Sequence, residues 1–316
     1  FCLVRIYCIA IPAISPHLNP RNHLVSQMID PSVRELLHSK LGNTIEECSP
    51  LHGGCVSEVY QLHLSSGSSV VCKIPPALGS SLTLENEAFM LNYLREHTHL
   101  PVPEVLYVDE TVLVLEFVDS DSQPSSNTQS DAADCLSRLH ALDSKTFGFQ
   151  ATTILAGIEL DNRPTGKWVE FFRTRRLEPV TQRALLDGRI TARMTQRLLS
   201  LGERLNDFIK EPEKPALIHG DVWSGNILFR QGRVAAFLDP AIYFAHPEME
   251  LSFICLFNTF GKPFFDRYQS ESGRLEADFF RVRSDIYNLI PLLVHAILFG
   301  ESYVQSIDRI LNRHGF

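Results

Sequence analysis

Residues 219–226 read His-Gly-Asp-Val-Trp-Ser-Gly-Asn and stand between two apolar runs, ALI before and ILF after. Polar groups enclosed by such runs must find partners or do chemistry, because a buried polar group left unpaired costs free energy. Asp221 is followed five residues later by Asn226, the spacing of the catalytic loop H-R-D-x-x-x-x-N in enzymes that transfer phosphoryl groups. On that reading Asp221 accepts the proton of an attacking hydroxyl, and Asn226 offers a hard oxygen to Mg²⁺. A second carboxylate should follow on a nearby strand. The run VAAFLDPA supplies Asp239 at its end, suited to bridge the metal and the phosphates of ATP.

Phosphoryl transfer also needs a cation on the phosphates and a cradle for them. VVCKIP places Lys73 in a strand, and ENEAFML offers Glu87 on the next helix to hold it. Glu85 competes for that role, but Glu87 lies closer to the apolar stripe of Leu84, Ala88, Leu91 and Leu94. Gly53 and Gly54 precede the first strand of a hairpin and would let backbone N–H groups approach the phosphates. EFVD, residues 116–119, falls where the chain leaves its first portion, so adenine would hydrogen-bond to backbone at Glu116 and Val118.

Each residue has an ordinary reading as well. His-Gly-Asp alone is a turn, Lys73 alone a solvated strand residue, and a glycine pair alone a bend. Their order along one chain favours chemistry. Trp223, otherwise packing, becomes a stacking wall for a sugar beside Asp221. Trp168 in GKWVEFF reads as helix packing, and His140 in LSRLHAL faces the core.

The elements that must position these groups follow from patterning. MIDPSVRELLHSKLG is a helix capped by Asp30, with Pro31 in its first turn and Gly42 as its stop. VYQLHL and SVVCKI flank SSGS as a hairpin. TLENEAFMLNYLREH has helical spacing, and VPEVLYVDETVLVLEFVD gives two strands about Asp109–Glu110. The polar stretch DSDSQPSSNTQS reads as a linker. DAADCLSRLHAL, TGKWVEFFRTRRLEPVTQRALLDG, TARMTQRLLSLGERLNDFIK and EADFFRVRSDIYNLIPLLVHAILFG read as helices. The expected class is α+β: an N-terminal extension over 1–27, a small β-rich lobe over 28–119 and a larger helical lobe over 120–316, with the ATP site between the lobes.

The 316 residues are 44% apolar and 21% charged, as in soluble globular proteins. The net charge of −8 argues against a nucleic-acid partner. FCLVRIYCIAIPAI is too short to span a bilayer and carries Arg5, and no other segment reads as a membrane span. The first methionine is Met28, and the fold proper is expected to begin there. Seven scattered cysteines without a C-x-x-C pair predict a reducing, cytoplasmic setting. Cys55 sits in the glycine-rich loop, where phosphate-binding N–H groups and Lys73 would favour its thiolate. Its oxidation to a mixed disulfide, or to an intersubunit one that links two copies of an otherwise monomeric chain, would lock the loop and lower activity reversibly; the ordinary reading is a small apolar filler under the loop.

GGCVSEVY, HGDVWSGN, DPAIYFAHPEMEL and PTGKWVEFFRTRRLEP together resemble the fructosamine kinase (ketosamine-3-kinase) family over roughly Met28 to the C-terminus. The resemblance implies a protein-kinase-like fold related to aminoglycoside phosphotransferases, and use of ATP and Mg²⁺. It implies phosphorylation at C3 of ketosamines, free or attached to glycated proteins, after which the unstable adduct releases its amine. His246 and Glu248, exposed loop residues on the ordinary reading, join Trp223 as acceptor-site candidates. Where the family often has Tyr-Gly before the histidine, this chain has Phe244-Ala245, which bears on substrate preference. A kinase for an aminoglycoside or choline-like alcohol is the competing enzymatic reading. A binding module with a dead site would be expected to lack Asp221, Asn226, Asp239 or Lys73.

Overall fold

The structure, a computed structural model, describes residues 29–51, 57–75, 81–121, 124–155, 158–273, 275–276 and 278–316. The apolar opening, Met28, Gly53, Gly54 and Cys55 lie outside the described residues. Helix α1 (Pro31–Leu41) has the expected bounds: Asp30 accepts the Ser32 N–H at 2.8 Å, and Gly42 closes the helix at φ 64°. Strands β1 (Ile45–Pro50), β2 (Glu58–Leu64) and β3 (Ser69–Ile74) precede α2 (Ser81–His97), β4 (Val105–Val108) and β5 (Leu113–Glu116). Among the described residues these five strands form one antiparallel sheet in the order β1-β2-β3-β5-β4.

Strand alternation assigns the two faces of this sheet. Val112 and Val114 pack with Leu62, Cys72 and Leu37 of α1, whereas Leu113 and Leu115 pack with Leu84, Ala88 and Leu91 of α2. Each such side chain, fully buried, contributes about 1.5–3 kcal/mol. Lys73 is one residue from buried Cys72 and so emerges on the α2 side. The sheet alternation and the helix period therefore meet at Lys73 and Glu87.

The expected linker is shorter than its composition suggests. Helix α3 (Ser126–His140) starts inside it, because Ser125 and Thr128 form a reciprocal capping box. From Ser125 onward, the polar residues read as linker are a helix start. There follow the hairpin β6 (Thr153–Leu155) and β7 (Ile158–Leu160), then α4 (Trp168–Phe172), a π-helical turn over Arg173–Leu177, α5 (Glu178–Leu186) and α6 (Ala192–Glu203). Strands β8 (Ala216–Ile218), β9 (Ile227–Arg230), β10 (Arg233–Phe237) and β11 (Tyr243–Ala245) lead to α7 (Glu248–Leu256), α8 (Lys262–Ser272), α9 (Ser284–Phe299) and α10 (Glu301–Arg313). Strand β8 pairs with β11, and β9 with β10.

The main core joins these helices. Trp168 is fully buried and its Nε1–H donates to the Tyr287 hydroxyl at 3.0 Å, so Trp168 packs as its sequence context indicates. His140 is likewise buried. One helical stretch not expected from the sequence to qualify, Phe279–Phe299, is long and apolar enough to cross a membrane; 72% of that window is buried inside the fold, as in a core helix. Cys48, Cys72, Cys135 and Cys255 are free, and burial pushes the thiol of Cys72 up to about 12.

Gly148 shows how tightly the loops beside β11 are joined. Its φ is +109°, and a Cβ there would lie 2.3 Å from the Asn162 carbonyl oxygen. Gly67 also has positive φ, +82°, but faces open space. Gly148→Ala should therefore cost about 2–4 kcal/mol, against about 1 kcal/mol for Gly67→Ala. Urea unfolding of the two variants measures the difference, and equal losses would contradict this account.

Candidate active site

The loop 219–226 hangs between β8 and β9, and Asp239 follows β10. Two backbone bonds zip these segments together: Ala241 N–H to His219 O and Leu238 N–H to Asn226 O, both 2.8 Å. The approach is so close that a Cβ on Gly220, at φ +87°, would sit 2.2 Å from the Ala241 oxygen. Asp239 itself adopts φ 53°, a left-handed conformation that Asp tolerates better than most residues. Strained backbone of this kind persists only where its surroundings over-determine it.

Asn226 is buried, and its Nδ2–H donates to the Asp221 carboxylate at 2.8 Å and to the Asp221 carbonyl at 3.1 Å. Its Oδ1 accepts no hydrogen bond among the described residues. Lys73 Nζ donates to Glu87 at 2.6 Å and also to the Asp239 carboxylate. Glu85 is thus not the partner. Burial alone would depress the Lys73 ammonium, but Asp239 and Glu87 hold it above its ordinary value. Burial raises Glu87, against the pull of Lys73. Enclosure would raise Asp239 too, but Lys73 holds it below the usual carboxylate range. Burial pushes Asp221 up to about 7, helped by the nearby Asp239 charge and opposed by the Asn226 hydrogen bond.

A cleft of about 340 Å³ opens over Lys73, Glu87, Asn226 and Asp239, and Asp221 lies behind Asn226 rather than in its lining. Val59, Val71, Leu115 and Leu228 make its apolar walls, and Lys73, Glu87, Asn226 and Asp239 its polar end. Glu116 and Val118 line it as well. The Glu116 carboxylate accepts the Glu104 N–H at 3.2 Å, and the Glu116 N–H donates to the Glu104 carbonyl at 2.9 Å. Trp223 is half-buried, and its indole covers Gly225, where a Cβ would meet Cη2 at 2.3 Å. Gly225 also lines the cleft, whereas Trp223 does not.

His246 and Glu248 are not brought to this group. Strand register pairs Tyr243 with Ile218 and Ala245 with Ala216. His246 therefore leaves at the start of β8, whereas Asp221 lies beyond its end. Glu248 is 2% exposed, and Arg283 binds both its oxygens at 2.6 and 2.7 Å. The His246 ring lies against those of Trp168 and Tyr287, and burial lowers it to about 3. These two side chains pack in the core, away from the group around Asp221.

Sequence reasoning missed Glu250. Its Oε1 accepts the Gly220 N–H at 2.6 Å, its Oε2 lies 2.7 Å from His140 Nε2, and His140 Nδ1 lies 2.7 Å from the Tyr268 hydroxyl. The signal was present: a carboxylate inside the apolar helix run MELSFICL requires a buried partner.

A family model described as fructosamine kinase matches residues 29–314. The chain belongs to the fructosamine kinase family. Among members and neighbours, it is 30% identical over 272 residues to a probable ketoamine kinase of Enterococcus faecium, covering 83% of this chain and 93% of that protein. It is 26% identical over 315 residues to the chloroplastic protein-ribulosamine 3-kinase of Arabidopsis thaliana, covering 94% of each. A crystal structure of a putative fructosamine-3-kinase from Thermobifida fusca is 27% identical and superposes with a TM-score of 0.77 over 89% of this chain and 99% of that one. An aminoglycoside phosphotransferase in complex with AMP-PNP and hygromycin B shares the fold, at 18% identity and a TM-score of 0.65, with 90% of this chain and 99% of that one covered. The fold is thus protein-kinase-like, with an antiparallel sheet followed by a mainly helical part.

In this family member Asp221 should make stability depend on pH. Between its ordinary value of 3.8 and about 7, the folded chain keeps a proton that the unfolded chain releases. Stability from this group is therefore lost as pH rises through that window. Asp221→Asn in ligand-free buffer should exceed the parent in stability by about 1–3 kcal/mol near pH 8, with the gap closing towards pH 4. Urea titrations at both pH values measure it, and a gap independent of pH would contradict the assignment.

Proposed function

We propose that the chain is an ATP-dependent kinase that phosphorylates a sugar hydroxyl, at C3, of ketosamines such as fructosamine or ribulosamine adducts. The observation that carries this reading is that Lys73, Asn226 and Asp239 line one apolar cleft, with Asp221 held beside it by the Asn226 hydrogen bond, in a member of the fructosamine kinase family. The names of its relatives supply the substrate class: ketoamine and protein-ribulosamine. A dead binding module would not be expected to retain all four groups.

Adenine occupies the apolar part of the cleft and hydrogen-bonds to backbone at 116–118. Lys73, oriented by Glu87, neutralises phosphate oxygens. The free Oδ1 of Asn226 and the Asp239 carboxylate, 42% exposed towards the cleft, fit Mg²⁺, which takes few protein oxygens alongside those of phosphates. The ion would supply charge neutralisation on the transferring group. Asp221, kept by Asn226 beside the acceptor, takes the hydroxyl proton as the acceptor oxygen bonds to the γ-phosphorus and ADP leaves. A base whose pKa lies near neutrality suits this role. Trp223 stacks against the acceptor sugar. Tautomerisation of the C2 ketone to the C1–C2 enaminol lets the C3 phosphate, a far better leaving group than hydroxide, depart as inorganic phosphate, and water then hydrolyses the resulting imine to a dicarbonyl and the free amine. The enzyme would thereby remove glycation from amines or proteins.

ADP release measured with fructosyl-lysine, ribulosyl-lysine and an aminoglycoside in parallel tests the proposal. Turnover with either ketosamine and none with the aminoglycoside is expected; the reverse pattern would overturn it in favour of an antibiotic-type acceptor. Asp221→Asn should lower kcat by about 10²–10⁴ while ATP still binds. Retained turnover in the purified variant removes Asp221 from the proton step. Asp239→Ala should lose the strengthening of ATP binding by Mg²⁺. Calorimetric titration with and without the ion decides it, and an undiminished Mg²⁺ effect would mean that another group holds the metal.

A further inference from the structure

Helix α2 carries Glu87, and its neighbours along one face touch neither the sheet nor the cleft. Asn86, Phe89 and Tyr93 recur at helical spacing on that face. Asn86 Nδ2–H donates to the Thr152 carbonyl at 2.8 Å. The rings of Phe89 and Tyr93 meet Phe149, at 6.1 Å and, edge-on, 4.9 Å between centroids. Phe149 is 8% exposed and in turn meets Phe244 of β11 at 6.3 Å. Residues 149–152 are thus wedged between the helix of the small lobe and the strand that pairs with β8.

This segment is itself held on its far side. Gly148 and Phe244 exchange two backbone hydrogen bonds of 2.9 Å, and Phe149 N–H donates to Asn162 O at 2.9 Å. Asn162 Nδ2–H donates to Thr153 Oγ1 at 2.7 Å and to Ala151 O at 2.8 Å, and the Thr153 hydroxyl donates to Ile242 O at 3.3 Å. Asn162 Oδ1 accepts from Arg176, a fully buried guanidinium that lies over the rings of Phe171 and Tyr243 at 4.6 and 4.1 Å. Burying an arginine is costly unless its charge and N–H groups find partners. Arg176 also donates to the Asp161 and Arg175 carbonyls at 2.9 and 2.8 Å, and its bond to Asn162 holds that side chain, and through it the strap. Ile242 follows Asp239 by three residues, so the strap spans from the Asp239 segment to the helix of Glu87.

We propose that residues 148–153 form a strap that positions α2, with Asn86 and Phe149 as positioning residues for the Lys73–Glu87 pair. Lys73 must leave Asp239 and turn to the phosphates when nucleotide and metal bind, and Glu87 is what then keeps it in place. A helix free to swing by an ångström would misplace that pair, and misplacement on this scale costs orders of magnitude in rate. The proposal rests on the phosphotransferase reading for its catalytic consequence, but not for its structural one.

The test combines Asn86→Ala with the mild substitution Phe149→Leu, which keeps an apolar side chain in the core. Three measurements follow: amide hydrogen exchange over residues 84–94, calorimetric affinity for ATP with Mg²⁺, and kcat/KM for ATP in the parent and Glu87→Gln backgrounds. Exchange in α2 should speed up and ATP affinity should fall, each by about tenfold, with kcat/KM falling about as far in the parent background. In the Glu87→Gln background the same substitutions should change kcat/KM by less than about threefold, because they act through that carboxylate. Unchanged exchange and affinity would overturn the strap, and so would equal losses of kcat/KM in both backgrounds. If no ketosamine is turned over by the parent, the functional reading fails alone, since exchange and affinity still decide the strap.

Discussion

One ammonium group bridges the two parts of the molecule. Lys73 leaves the sheet, takes Glu87 from the helix behind it, and reaches Asp239 on the segment after β10. Two charges largely drawn out of bulk water, Lys73 and Glu87, beside a third on the cleft wall are tolerable only if their geometry is held, because an unpaired buried charge is costly. Much of the architecture serves that condition. Strand alternation sets the side of the sheet from which Lys73 emerges, and the packing of Leu84, Ala88 and Leu91 on Leu113 and Leu115 sets the depth of Glu87.

The catalytic loop is held by backbone as much as by side chains. Gly220 approaches Ala241 so closely that no Cβ fits, and Asp239 takes a left-handed conformation two residues before. Behind them the Glu250 carboxylate accepts the Gly220 N–H and is itself bound to His140. Asp221 is thereby presented on a loop with little freedom, next to another carboxylate and largely out of water. That placement opposes stability while keeping its proton affinity near neutrality, a trade expected where a site is built for reaction.

Local rules make several elements legible from residue order alone. Asp30, Pro31 and Gly42 bound the first helix, because caps act within a few residues of one another. The SSGS hairpin and the two strands about Asp109 follow from turn chemistry. DSDSQPSSNTQS misleads, since Ser and Thr suit a helix cap as well as a linker, and only the Ser125–Thr128 pairing tells the two apart. The short strands β8 and β11 carry too few residues to show a period.

The sequence by itself determined the chemistry on offer: an aspartate and an asparagine at fixed spacing, a later aspartate, a strand lysine and a helix glutamate, in an order that phosphoryl transfer requires. Types and spacing are local properties, and so they survive in one dimension. Helix phase already favoured Glu87 over Glu85, but only the tertiary structure decided that Glu250 rather than Glu248 serves the loop, and that His246 turns away from it. Those outcomes depend on strand register and helix phase, where one residue of difference sends a side chain to the opposite face. A pairing between Lys73 and Asp239, so far apart along the chain, exists only once the sheet, the loop and α2 have packed together.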